Sequence, residues 1–332
     1  MNKINYIIIL ILILLLIDKY TIKTNSINNI IYNKNYKNYN NNIDAVITWV
    51  NSSDKKWIKN KNKYFNLEFN KKGVDNDNVR FPNIKFIETE LYYCVKSINK
   101  FLPWIRNIYI VTADSQIPSF IKEFKKIKII HHSQIFPNKK SLPTFNSHAI
   151  ETCLHYIPNL SEKFIYFNDD MYVGDYLNEY FFFKNNSPIF GGKKRPMFIA
   201  WRNNPYNYAW KNLSIEYGNI NVLISSHCCT PLTKTLMLNV ENKFKTLWIN
   251  TRNSKFRNNN DIPPIGMCIN YDVPLISKLS SDKKIYGYFE FNTFINYIND
   301  VTKLKPKLFC LNNPVKEKNY KKIKKIMNEI LK

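Results

Sequence analysis

Residues 143 to 174 read PTFNSHAIETCLHYIPNLSEKFIYFNDDMYVG, and the fold is decided here. A polar turn, Asn146-Ser147-His148, leads into Ala149, Ile150, Cys153, Leu154 and Ile157, which recur at helical spacing. Pro158-Asn159 ends that segment. Phe164-Ile165-Tyr166-Phe167 follows, a short apolar run rich in β-formers that stops at Asn168-Asp169-Asp170. The pattern is helix, turn, buried strand, then paired carboxylates at the strand's carboxyl end. In open α/β sheets ligands bind beyond those ends. Paired acids there can hold a hard divalent cation against a diphosphate through oxygen ligands. The plainer reading is an Asx turn that merely closes a strand.

Upstream, Asp44-Ala45-Val46-Ile47-Thr48-Trp49-Val50 is a second strand, and it too ends in polar side chains, Asn51-Ser52-Ser53-Asp54. Between Ile87 and Phe101 the residues Leu91, Cys94, Val95, Ile98 and Phe101 share one helical face, stopped by Pro103. Asn107 to Thr112 is a strand, Ser119 to Lys126 a short helix and Ile127 to His131 another strand. Strands alternating with helices from Asp44 to Asp170 predict right-handed crossovers. The fold class is therefore α/β: a Rossmann-like, mostly parallel sheet flanked by helices. A less regular C-terminal part completes the site.

Beyond Gly174 the periodicity weakens. Trp201 to Trp210 is aromatic and Asn-rich and reads as loop, whereas Thr233 to Leu247 reads as one helix carrying Leu236, Val240, Phe244 and Leu247. From Lys316 onward, Tyr320, Ile323, Met327, Ile330 and Leu331 share a face opposite lysines, a basic amphipathic helix that docks on its own domain or touches a membrane.

The chain has 332 residues, 45% of them hydrophobic and 15% aromatic, which excludes a disordered chain and allows one large domain or two modest ones. Its formal charge of +24 raises nucleic-acid binding. The lysines are scattered and no zinc-finger or RNA-binding signature occurs, so no nucleic-acid partner is expected. Arginine is rare, which gives each one weight, because its planar fork grips phosphate bidentately and lysine cannot. The six cysteines form no CxxC pair, which argues against a zinc site, and Cys94 and Cys153 read as core fillers.

Ile7 to Ile17 is an unbroken aliphatic run after Lys3. As a helix it spans about 16 Å against the ~30 Å hydrocarbon core of a bilayer. No small-residue cleavage site follows it. The run is read as a short, uncleaved, single-pass signal-anchor holding the rest on the lumenal or extracytoplasmic side (Golgi or secretory in a eukaryote). A cleaved signal and a secreted protein are the alternative. The organisation is then residues 1–19 anchor or signal peptide, 20–42 flexible Asn-rich stem, 43–313 catalytic domain and 314–332 basic C-terminal helix.

Several islands together resemble one family. Asp44 to Asp54 is similar to the first conserved region of the Stealth family, which holds capsular-polysaccharide phosphotransferases and the catalytic subunit of the lysosomal-enzyme N-acetylglucosamine-1-phosphotransferase. Glu90 to Ile98, Pro103 to Thr112, Gln116 to Ser119 and then Leu142 to Met171 resemble its second region. His227 with Pro231-Leu232, and Thr251 to Arg257, resemble the third; Phe309 to Asn312 resembles the fourth. The chain departs from the family pattern at Tyr92, Cys229 and Asn313.

The resemblance implies transfer of hexose 1-phosphate from a UDP-hexose to a glycan or polysaccharide hydroxyl, with release of UMP. That reaction needs a cation on the diphosphate, cationic groups on the phosphoryl oxygens and an acceptor for the hydroxyl proton. Asp169 and Asp170 suit Mg2+ or Mn2+; Arg257 and Arg80 suit the phosphoryl oxygens; His227 suits the base. A lone histidine is otherwise an ordinary structural one. His148 is a second histidine candidate, or a cap for the helix after it. Asp44, Asn51 and Asp54, with Asn168, are candidates for uridine, ribose or pyrophosphate. Asn51-Ser52-Ser53 is also a glycosylation sequon, expected to stay unmodified because a glycan would block the site. The rival chemistry is a metal-dependent glycosyltransferase with the same donor; the rival class is a basic nucleic-acid binder.

Overall fold

The computed structural model of the chain describes residues 42–69, 87–196, 204–218, 221–271, 286–290, 301, 304–312 and 317–332. The expected anchor and stem lie outside these residues, as does Arg80. In chain order the strands are β1 (Ile43–Thr48), β2 (Ile108–Thr112), β3 (Ile127–His131), β4 (Lys163–Asn168) and β5 (Met171–Val173). Then come a small hairpin, β6 (Phe183–Lys184) and β7 (Ser187–Pro188), followed by β8 (Gly192–Pro196), β9 (Asn221–Ser225), β10 (Thr230–Thr233), β11 (Tyr286–Glu290) and β12 (Leu308–Asn312).

The central sheet runs β10-β4-β1-β2-β3, parallel throughout except for β10, which is antiparallel to β4. Alternation along each strand explains why it is covered on both sides. Ile43, Ala45 and Ile47 of β1 join Ile108, Ile110, Ile165 and Phe167 in one core. Val46 joins Tyr109, Val111, Phe164 and Tyr166 in the other.

The helices are α1 (Lys55–Phe69), α2 (Ile87–Phe101), α3 (His132–Ile135), α4 (Ser147–Glu151), α5 (Pro205–Tyr217), α6 (Lys234–Lys243), α7 (Lys245–Asn253), α8 (Pro264–Ile269) and α9 (Glu317–Ile330). Helix α2 buries Leu91, Cys94, Val95 and Ile98 in the first core, the face that the sequence marks. Ile326, Met327 and Leu331, in and just after α9, enter the same core, and Tyr93 Oη lies 3.2 Å from Asn328 Oδ1, so this basic helix docks on its own domain. A second sheet, β11-β12-β5, lies beside the end of β4; Leu311 N donates to Asp170 O at 3.0 Å.

Three expected elements differ. The segment from Ala149 to Ile157 is not one helix but α4 followed by a 3-10 turn, Leu154–Tyr156. Thr152 Oγ1 donates to the Ala149 carbonyl at 2.7 Å, and Cys153 N reaches back only to Ile150 O, so the helical ladder is broken there. The expected loop at 201–210 is in part helix α5, started by an Asn204 cap whose side chain accepts from Asn207 N at 2.9 Å, with Pro205 in the first turn. It ends at Gly218, whose φ of 73° suits glycine. The expected helix from Thr233 to Leu247 is two, α6 and α7, broken at Phe244 (φ −111°, ψ 39°).

Candidate active site

Every parallel strand delivers its carboxyl end to one edge of the sheet. Thr48 of β1 pairs with Asn168 of β4, and Thr112 of β2 with His131 of β3. Asp169 and Asp170 continue from β4 at that edge. Because β10 runs the other way, with Thr230 opposite Tyr166, the residues preceding it arrive at the same edge. His227, in left-handed backbone at φ 53°, is among them. Asp170 is close enough to Cys228 for its charge to push that thiol further up than burial alone does.

A hydrogen-bonded network joins these strand ends to α4. Tyr166 Oη lies 3.0 Å from Thr48 Oγ1, 2.7 Å from Asn168 Oδ1 and 3.2 Å from Glu151 Oε1. Burial pushes the Glu151 carboxyl up to about 7, against the opposing pull of the Arg257 guanidinium and the Tyr166 hydroxyl. Arg257 Nη2 donates to Ser147 Oγ at the start of the same helix. Nothing in the sequence marks Glu151: it reads as one polar position on a helix, and its burial is a tertiary fact.

The loop of Arg257 is fixed to the loop before α4. Phe145 N donates to Lys255 O at 2.7 Å, and the Phe145 and Phe256 rings stack with centroids 5.1 Å apart. Trp57 of α1 meets the Phe145 ring edge-on at 5.5 Å, and Phe65 meets Phe256 likewise at 5.5 Å. This small aromatic core ties together the segments that follow β1, precede α4 and carry Arg257.

Across the edge lies a group of carboxylates. Burial, then the neighbouring Asp170 charge, pushes Asp169 up to about 8. Glu90, in the first turn of α2, is pushed well above the usual carboxylate range by desolvation and then by Asp169 and Asp170. Like charges held this close favour a cation among them. Among the described residues no three His, Cys, Asp or Glu side chains form a coordination set by themselves. The oxygen donors nonetheless fit Mg2+ or Mn2+, which take one or two carboxylates and complete their shells with water and substrate phosphate. Glu90 is the second residue that the sequence reading did not single out for this edge.

Asp44 is corrected: it lies at the amino end of β1, away from the edge, fully buried. Its carboxylate accepts from Arg106 Nε at 2.9 Å, Arg106 Nη2 at 2.6 Å, Asn107 N at 3.1 Å and Ser161 N at 2.7 Å, which makes it a structural anchor. Asp54 is at the right edge but caps α1, accepting from Trp57 N at 2.6 Å. Asn51 is at that edge too, its backbone clamped by Gln116, which accepts from Asn51 N at 2.8 Å and donates to Asn51 O at 3.0 Å. His148 is buried in α4 and does not cap it; Asn146 does, accepting from His148 N at 3.1 Å. Asp261 Oδ2 in turn accepts from Asn146 Nδ2 at 2.8 Å. All six cysteines are buried and unbridged.

Comparison with known proteins gives the family. The Stealth protein conserved region 1 matches residues 41–65, and conserved region 2 matches residues 85–190. A capsular polysaccharide phosphotransferase of Haemophilus influenzae is 37% identical over 297 residues, 84% of this chain and 80% of that protein. One from Neisseria meningitidis is 38% identical over 66% of this chain and 61% of its own. An exopolysaccharide phosphotransferase of Streptomyces coelicolor is 33% identical over 75% of this chain and 46% of its own. Among solved structures, the galactosyltransferase LgtC in complex with donor and acceptor sugar analogs aligns with 86% of this chain and 95% of its own at 9% identity and a TM-score of 0.44. The chain belongs to the Stealth family of polysaccharide phosphotransferases.

Proposed function

We propose that this phosphotransferase moves hexose 1-phosphate from a UDP-hexose to a glycan hydroxyl and releases UMP. The observation that carries the reading is the meeting, at one sheet edge, of Asp169-Asp170 with the Tyr166–Glu151–Arg257 network. Asp169 and Asp170 hold Mg2+ or Mn2+, which when bound neutralises charge on the donor diphosphate. Arg257 grips the oxygens of the transferred phosphoryl group, where a planar fork serves better than a point charge. Arg80, outside the described residues, is proposed to assist it. A base takes the acceptor hydroxyl's proton as the oxygen attacks the β-phosphorus and the bond to UMP breaks. His227 and Glu151 compete for this role; a buried carboxyl held near 7 beside Arg257 favours Glu151. Asn51, Asp54, Asn168 and His148 are proposed to contact the donor.

The test is the nucleotide product. The chain is incubated with UDP-glucose or UDP-N-acetylglucosamine, Mg2+ or Mn2+ and oligosaccharide acceptors. UMP and an acceptor carrying a phosphodiester-linked sugar are expected, read by mass spectrometry and phosphorus NMR. UDP release with a glycosylated acceptor would instead mean cleavage at the anomeric carbon, the glycosyltransferase reaction, and would overturn the proposal.

A further inference from the structure

Helix α4 brings Ser147 and Glu151 to the site in only five residues, too few to be stable alone. Its carboxyl end is held from outside. Arg252 Nη2 and Trp248 Nε1 both donate to the Thr152 carbonyl at 3.0 Å, and Arg252 Nε donates to Thr152 Oγ1 at 3.2 Å. Thr152 passes the constraint back into α4 through its bond to the Ala149 carbonyl.

Arg252 is itself fixed. Its Nη2 donates to Glu241 Oε1 at 2.8 Å, and its guanidinium lies 5.3 Å from the centre of the Tyr156 ring. Glu241 Oε2 lies 2.8 Å from His155 Nε2, and the Tyr156 hydroxyl lies 3.2 Å from both Glu241 oxygens. Thr152, His155, Glu241 and Arg252 are all buried. A buried ion pair adds little net stability, because desolvation offsets the attraction, so its geometry is the better guide to its use. Here the geometry joins α6, α7 and the end of α4. Helix α7 ends one residue after Arg252, and the chain then runs straight into the loop of Arg257.

We propose that Arg252, held by Glu241, is a positioning residue that grips Thr152 and so sets Glu151 and Arg257 against each other across the reacting phosphoryl group. This rests on Glu151 and Arg257 acting in the transfer. The polar contacts of Arg252 and Glu241 run to Thr152, His155 and Tyr156, so their effect reaches the substrate through α4 and the loop.

Thr152→Val keeps the shape and removes the hydroxyl; Thr152→Ser keeps the hydroxyl; Arg252→Lys keeps the charge and loses the fork. In the full chain, with UDP-glucose or UDP-N-acetylglucosamine as donor, Thr152→Val and Arg252→Lys should lower kcat roughly tenfold to a hundredfold, with donor KM within about twofold. Thr152→Ser should restore kcat to within about threefold of the wild type. Unchanged kcat in Thr152→Val, or equal losses in Thr152→Val and Thr152→Ser, would overturn the proposal. If the wild-type chain releases no UMP, the transfer reading itself fails. Crystal structures of the wild type and Thr152→Val then decide the positioning separately. Loss of the Arg257–Ser147 bond in the variant supports it, and its persistence overturns it.

Discussion

At the scale of single residues, the carboxylates separate catalysis from folding. Asp170→Asn should lower turnover on the order of a hundredfold or more while leaving Tm nearly unchanged, because it removes charge from an edge where like charges already crowd. Full activity in that variant, or activity that persists in EDTA, would sink the cation's role. Glu151 supplies a pH dependence with a definite sign. Its carboxyl must be ionised to accept a proton, so kcat/KM should rise with pH through about 7 and level off above it. The same shift has the opposite sign for stability. A carboxyl raised from its ordinary value near 4.5 to about 7 favours the folded state at low pH, and that advantage fades as pH rises through 7. Glu151→Gln should therefore abolish the rate limb near 7 and flatten the loss of Tm across that range. A limb that survives in Glu151→Gln but vanishes in His227→Ala would assign the base to His227.

At the scale of elements, the aromatic core of Trp57, Phe145 and Phe256 should behave as a joint. Phe145→Ala opens a cavity costing about 3–5 kcal/mol where the surroundings do not collapse, and Tm should fall on the order of 10 °C. Activity measured well below the new Tm should fall too, because the Phe145 and Lys255 segments position Arg257. A variant with lowered Tm and wild-type kcat would show the joint to be only structural. What the sequence discloses follows the same physics. Helix α2 is legible end to end because Leu91, Cys94, Val95 and Ile98 repeat on one buried face. The strands ending at Thr48 and Asn168 are legible because both of their faces are apolar. Helix α5 is hidden because its aromatic and Asn-rich composition masks the Asn204-Pro205 start, which was its one signal. Asp44 misleads because a carboxylate on a strand looks the same whichever end of the sheet it occupies. Glu151 and Glu90 are missed because their desolvation comes from segments far away in the chain.

At the scale of the whole molecule, the N-terminal run from Ile7 to Ile17 is proposed to hold the catalytic domain at a membrane, on the lumenal or extracytoplasmic side. Among the described residues no helix is long and apolar enough to cross a bilayer. The full chain should resist carbonate extraction and keep Met1, whereas a soluble product beginning beyond residue 18 would show a cleaved signal. The antiparallel placement of β10 beside β4 also bears on how the protein is made. When β4 leaves the ribosome its outer edge has no neighbour, and its partner is encoded some sixty residues later. At typical elongation rates of about 5–20 residues per second, that edge waits on the order of several seconds. Phe164, Ile165, Tyr166 and Phe167 make it an apolar strand with open backbone groups, the kind that pairs with other chains. The nascent chain is thus inert and adhesive together until Thr230 to Thr233 seals the edge and brings the segment before β10 to the strand ends. Synthesis arrested between those points should yield aggregates or chaperone complexes, and never a slower enzyme.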